Sequence, residues 1–239
     1  MLGNFETFQY RDQNWTRFPA PPADEAFIAG LDLGQSMDPT ALIVMRHHHE
    51  PLPDDWDVDK VRRVTRQRSK QRYDVVHAER LPLGRAYPDV VQHVRDVLNR
   101  PPLRDRCHLV IDESGVGRAV GDIFEGAGMR AVRVSITAGV EAVKQEHRRW
   151  SVAKSLLISG VDAKLHSGEL RFAAELGEAH ALHEELKDFR RNLTAAGRAT
   201  YQARTGKHDD LVLAVAIALW WAVERRRHEI HIGPLRGLC

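Results

Sequence analysis

At 239 residues, 43% hydrophobic and 28% charged, the chain is long enough for one sizeable core, and its solvated surface argues for a soluble protein. A formal charge of +2 leaves net charge silent about nucleic acid, so only the distribution of charge can speak to it. Two cysteines, Cys107 and Cys239, form neither a zinc spacing nor a disulfide framework, which fits a reducing cytoplasm. No stretch reads as a secretory signal, and no Gly-x-x-x-x-Gly-Lys-Ser/Thr loop is present.

Residues 1–25 are polar, aromatic and proline-containing, and read as an arm or linker ahead of a core domain at 26–226. Residues 227–239 read as a tail. Ala26 to Leu33 is the first core strand, Gly34 to Pro39 a turn, and Thr40 to Arg46 a second strand rich in aliphatic and β-branched residues. A charge-segregated insertion follows. Asp54, Asp55, Asp57 and Asp59 precede Lys60, Arg62, Arg63, Arg66, Arg68, Lys70 and Arg72, with no acid inside the basic part. Tyr73 to Leu81 is a third strand. A helix runs from Pro88 to about Asn99, with proline in its first turn, and Pro101-Pro102 stops it.

Cys107 to Asp112 is a continuous apolar run of the kind buried in parallel sheets. Val116 to Gly126 is a helix, Ala131 to Ile136 a strand, and 141–167 is expected to be helical with a basic start at Lys144, His147, Arg148 and Arg149. Glu175 to Phe189 is an amphipathic helix and Arg198 to Arg204 a strand. The final helix spans about Asp209 to Arg226, and its apolar core, Leu211 to Val223, is too short to cross a bilayer. Strands first, then alternating strands and helices, make an α/β domain: an antiparallel meander followed by crossover connections.

Three acidic signatures carry the chemistry. Asp32 lies in Gly30-Leu31-Asp32-Leu33-Gly34, on the strand face opposite Leu31 and Leu33. Asp112 ends Leu109-Val110-Ile111-Asp112, where α/β sheets place ligands, and Glu113 beside it points the other way, a candidate to support the site from behind. Asp209 and Asp210 open an all-round apolar helix. Turn or N-cap roles account for any one of these acids alone. Together, carboxylates in apolar surroundings need neutralising, and three convergent ones suit a hard divalent cation. Two ions held about 4 Å apart would activate water and stabilise a leaving oxygen in phosphodiester hydrolysis.

Leu31-Asp32-Leu33-Gly34 with Asp38-Pro39-Thr40-Ala41-Leu42, then Ile111-Asp112-Glu113-Ser114-Gly115-Val116-Gly117, then Gly206-Lys207-His208-Asp209-Asp210-Leu211-Val212-Leu213-Ala214 resemble the nuclease domain of phage terminase large subunits. The resemblance covers about residues 26–226, in order, and its third motif is the most specific. It implies a ribonuclease H-like fold, a mixed central β-sheet flanked by helices. It also implies an endonuclease that cuts double-stranded viral DNA during packaging with two Mg2+ or Mn2+ ions. Asp32, Asp112 and the Asp209–Asp210 pair match the metal ligands, with Asp210 favoured over Asp209 for direct contact and His208 beside them. The implied partners are an ATPase motor domain, a small terminase subunit and the portal, in the cytoplasm of a bacterial host, with no membrane. Full large subunits carry the motor ahead of the nuclease; the arm at 1–25 gives no basis for claiming ATP-driven packaging.

Lys60, Arg62, Arg63, Arg66, Arg68, Lys70 and Arg72 are the foremost candidates for phosphate contact, and Lys144, Arg148 and Arg149 a second patch. Pairing of the first group with the preceding aspartates is the alternative. His47-His48-His49 alternate faces on a strand and cannot all converge on a metal. Other readings remain open: a Holliday-junction resolvase, a nucleotide-binding protein of the actin and sugar-kinase fold, or a DNA-binding remnant with an idle site.

Overall fold

The computed structural model describes residues 5–19, 25–34, 38–115, 117–146, 148–188, 190–193, 199–202 and 209–231. His208 lies outside them. Strands β1 (Glu6–Tyr10), β2 (Gln13–Phe18), β3 (Ala26–Asp32), β4 (Thr40–Asp59) and β5 (Val64–Leu81) come first. Then follow α1 (Tyr87–Leu98), β6 (Cys107–Asp112), α2 (Arg118–Gly126), β7 (Val132–Thr137), β8 (Ala142–Lys144), β9 (Arg149–Ala153), α3 (Lys154–His166), β10 (Leu170–Phe172) and α4 (Ala179–Asp188). Strands β11 (Arg190–Leu193) and β12 (Ala199–Gln202) pair only with each other, and α5 (Asp210–His231) closes the order.

One sheet of ten strands runs β1-β2-β5-β4-β3-β6-β7-β9-β8, with β10 beside β5. The expected meander is present: β3, β4 and β5 pair antiparallel. Strand β6 then lies parallel to β3, with β7 and β9 parallel beyond it. Alternation sends one set of side chains to each face. Phe27, Ala29, Leu31, Leu42, Val44 and Ile111 pack under α1 and α2. Ile28, Ile43, Met45, Val110 and Val134 pack under α3, α4 and α5.

Helix α5 is buried from Leu211 to Leu219 and lies across β3, β4 and β6. Gly30 permits that approach, because a Cβ there would stand 2.1 Å from the Ala214 carbonyl oxygen. Gly34 serves the turn that follows β3: a Cβ there would meet the Asp38 carbonyl oxygen at 2.1 Å.

Several elements differ from the expected ones. The arm at residues 1–25 carries the β1–β2 hairpin, joined to β5 by parallel pairing of Thr16, Arg17 and Phe18 with Val64, Thr65 and Arg66. The charged insertion is a continuation of β4 and β5 into one long ribbon. Ala142–Lys144 and Arg149–Ala153 are strands, and the helix starts only at Lys154. Period-two burial is the reason: Trp150 and Val152 enter the core while Ser151 is half-buried. The last helix runs to His231, into the expected tail.

Candidate active site

Register places the acids. Across the sheet, Arg80 on β5 pairs with Ala41 on β4, Ala41 with Asp32, Asp32 with Asp112, Asp112 with Val134 on β7, and Val134 with Trp150 on β9. Cross-strand partners share a face, here the one covered by α5. Asp32 and Asp112 are thus direct neighbours, on chains about 5 Å apart, at the carboxyl ends of parallel strands.

Asp112 is buried and its Oδ1 is occupied. It accepts from the Ser114 backbone N–H at 2.8 Å and from the Ser114 hydroxyl at 2.5 Å. The same hydroxyl oxygen accepts the Ile136 N–H at 2.6 Å, which ties the turn to β7. Burial raises the Asp112 carboxyl above its ordinary value, while the Ser114 bonds and the Lys154 charge oppose the rise. Asp32 is raised further, first by burial, then by repulsion from Asp112, Asp210 and Asp209, with Lys154 opposing. Among the described residues, no group donates a hydrogen bond to the Asp32 carboxylate.

The α5 acids have cationic partners. Asp209 caps the helix, its carbonyl accepting the Leu213 N–H at 2.9 Å, and its Oδ2 accepts from Lys154 Nζ at 2.7 Å. Asp210 is buried under Arg80, which donates from Nε to Oδ2 at 2.8 Å and from Nη2 to Oδ1 at 3.1 Å. Arg80 Nη2 also donates to Glu185 on α4, whose other oxygen accepts the Val212 N–H at 2.9 Å. Burial, with repulsion from Asp210 and Asp209, pushes the Glu185 carboxyl up to about 8.

A scan against protein-family models and a search of curated protein sequences return no match. Solved structures do match in shape. The large terminase nuclease of thermophilic phage G20c superimposes with a TM-score of 0.53 at 20% identity, over 82% of this chain and 81% of that one. The same nuclease with bound magnesium gives 0.53 at 21% identity, over 82% of both chains. The large terminase nuclease domain of Thermus phage P74-26 gives 0.53 at 19% identity, over 83% of this chain and 80% of that one. The chain has the terminase nuclease fold.

On this terminase nuclease fold, Asp32, Asp112, Asp209 and Asp210 gather where β3, β6 and the start of α5 meet. Among the described residues, no three acidic, histidine or cysteine side chains are arranged to hold an ion as they stand. Lys154 and Arg80 engage the helix acids instead. The donor set itself suits a hard cation: it is all carboxylate oxygen, and the burial and acidic crowding that raise the Asp32 carboxyl are what a divalent ion would offset.

Glu113 faces away from the acids. It is buried against Arg133, whose Nε donates at 2.8 Å, with Arg149 at 3.7 Å and Asp122 bonded to the same Arg133 at 3.0 Å. It therefore anchors the turn after Asp112 from the opposite face.

The basic candidates divide. Arg66 lies over the Phe18 ring at 5.5 Å, and Arg68 sits 3.8 Å and 3.9 Å from Asp55 and Asp57. Lys70 and Arg72 donate to the Ser167 and Gly168 carbonyls, both at 2.8 Å, and clamp the ribbon to the end of α3. Lys60, Arg62 and Arg63 occupy the turn between β4 and β5. In the second patch, Lys144 lies 5.9 Å from the Trp150 ring, Arg148 donates to the Arg130 carbonyl at 3.1 Å, and Arg149 turns inward to Glu113.

Sequence reasoning passed over Ser114, Arg80, Lys154 and Glu185 as site groups. Arg80 left a signal: two residues on from Ala78 it shares that residue's inward face, and an inward arginine needs an acid.

Proposed function

We propose that the chain is a metal-dependent endonuclease that hydrolyses the backbone of double-stranded DNA, working in viral genome packaging beside an ATPase motor, a small terminase subunit and a portal in the host cytoplasm. The observation that carries this reading is the side-by-side placement of Asp32 and Asp112 beneath the acidic start of α5. Strand-end carboxylates of this kind, on a terminase nuclease fold, suit two Mg2+ or Mn2+ ions.

Asp32, Asp112 and Asp209 would hold the ions. Asp210 is the weaker choice for direct contact, because Arg80 takes both of its oxygens. When bound, divalent cations lower the pKa of water and stabilise a leaving oxygen. The chain's own groups do the positioning. Ser114 fixes one oxygen of Asp112 and leaves Oδ2 to the site. Arg80 and Glu185 hold the first turn of α5 against the sheet. Lys154 keeps Asp209 oriented and lowers the repulsion among the acids. In the reaction, a water oxygen bonds to phosphorus, the P–O3′ bond breaks, and the products are a 5′ phosphate and a 3′ hydroxyl.

The test is plasmid cleavage by the full chain with Mg2+, with Mn2+ and with EDTA. Cutting is expected only with metal, and Asp112→Asn is expected to abolish it while leaving the fold intact by circular dichroism. A folded Asp112→Asn chain that cuts at the parent rate overturns the assignment. Preference for four-way junctions over linear duplex would move the reading to a resolvase.

A further inference from the structure

We infer that the tip of the β4–β5 ribbon is a second duplex-DNA contact, separate from the cutting site, that enters the minor groove with Val61 at its apex. The inference rests on DNA being the substrate, and its test uses no cleavage.

The ribbon ends in Lys60-Val61-Arg62-Arg63. Val61 is 93% exposed, the largest exposure among the exposed large hydrophobic residues described. A lone exposed valine is ordinary on a protein surface; this one stands among Lys60, Arg62 and Arg63, and an apolar wedge set among cations is the side-chain combination that minor-groove binders insert. The tip is rigid by construction. Asp59 Oδ1 accepts the Val61 and Arg62 N–H groups at 3.1 Å and 2.9 Å. The Arg63 carbonyl accepts the Thr16 N–H at 2.9 Å, which buttresses the tip with the β1–β2 hairpin. Because β2 runs parallel to β5, the Tyr10–Gln13 turn reaches the same end and brings Arg11, Asp12 and the exposed Tyr10 beside it, which leaves Lys60, Arg62, Arg63 and Arg11 in excess over Asp59 and Asp12.

Charge selects the partner. Lys60 and Arg63 have no ion pair among the described residues, and Arg62 meets only Asp59, at 3.8 Å. The same turn spends Asp59 Oδ1 on backbone amides. The tip therefore presents clustered cations around an apolar apex, a combination that suits phosphates flanking a narrow groove. The ribbon's sides do not. Asp55 and Asp57 lie along them, paired with Arg68, and would face phosphates if the ribbon lay broadside in the major groove. Only an end-on approach keeps those acids away from the backbone, and end-on the tip offers an apolar wedge flanked by lysine and arginine, the side chains that minor-groove binders use.

Strand geometry sets the reach. From Ala41, beside Asp32, to Asp59 is about 18 residues of β4, so the tip stands at most about 60 Å from the acids. That distance corresponds to no more than about 17 base pairs at about 3.4 Å each. The two register shifts in the ribbon shorten it.

The experiment is binding of the full chain, in EDTA, to a 40-base-pair duplex, read by fluorescence anisotropy at several salt concentrations and by hydroxyl-radical footprinting. The triple variant K60A/R62A/R63A is expected to bind about tenfold more weakly at moderate salt, with a salt slope lower by about 3. Distamycin, a minor-groove ligand, is expected to weaken the parent and leave the triple variant unaffected. Val61→Asp is expected to remove the tip's own footprint and keep the one at the acids. All of these residues are exposed turn positions, and thermal melting confirms that each variant folds. An unchanged affinity and slope in the triple variant overturns the inference, as does distamycin-insensitive binding by the parent. Absence of metal-dependent cutting in the parent would refute the nuclease reading instead, and leaves this binding test intact.

Discussion

Asp32→Asn isolates the electrostatic cost of assembling the acids without a cation. Asp32 and Asp112 sit on adjoining strands about 5 Å apart, and two like charges at about 5 Å in an effective dielectric of about 20 repel by about 3 kcal/mol. That figure is a ceiling, because protonation of Asp32 already relieves part of it. Its carboxyl is raised by burial and by Asp112, Asp210 and Asp209. A carboxyl raised in the fold binds more protons folded than unfolded, so its contribution to stability falls as pH climbs from about 4 toward the raised value. The metal-free Asn variant is therefore expected to melt above the parent at pH 8, by about 1–3 kcal/mol or roughly 3–10 °C for a chain of this size. The gap should close toward pH 4. Added Mg2+ or Mn2+ should raise the parent's midpoint and leave the variant nearly unmoved, since binding stabilises only the form that holds the ion. Differential scanning fluorimetry between pH 4 and 8.5, with EDTA or metal, checks this. A variant that melts below the parent in EDTA at pH 8 refutes the account of Asp32 as a buried carboxyl crowded by its acidic neighbours.

Gly30→Ala should destabilise the fold by several kcal/mol, since the new Cβ meets the Ala214 carbonyl oxygen at 2.1 Å and α5 must lift from β3; chemical denaturation measures it. Arg80→Met leaves Asp210 buried without its cation and should cost about 3–5 kcal/mol, a loss that Arg80→Met combined with Asp210→Asn largely restores, as a double-mutant cycle would report. Cys107, half-buried and with its thiol pushed up to about 12 by desolvation, should react with a thiol reagent at neutral pH more slowly than an ordinary free cysteine, and labelling of the Cys239→Ser chain at the free-thiol rate would contradict that.

Strands β3 and β6 were legible because continuous apolar runs ending in Asp32 and Asp112 have few other structural uses. The meander and the parallel crossovers followed from the order of turns and helices. The ribbon was not, because its Asp-rich and Arg-rich halves have no apolar alternation; cross-strand pairs such as Asp57 with Arg66 make it a sheet, and those pairs are invisible until the two halves are aligned. Strand β9 was lost to a different cause. Its alternation is only five residues long and abuts α3 without a break, so a helical reading absorbed it.

The α5 acids show where sequence stops deciding. Adjacent residues at a helix start point about 100° apart, and which of Asp209 and Asp210 faces the site depends on what neutralises the other. Those neutralising groups come from far away in the chain: Arg80 is 130 residues from Asp210, and Lys154 is 55 residues from Asp209. Neither lysine nor arginine carries a motif that announces such a partnership. A strand acid is placed by the period of its own strand, so Asp32 could be set opposite Leu31 and Leu33, and Asp112 opposite Glu113, before any fold was known. A helix acid is placed by its counter-charge. Arg80 holds Asp210 with two bonds inside the core, whereas Lys154 holds Asp209 with one bond at a half-buried position, which is the weaker restraint for an incoming cation to displace.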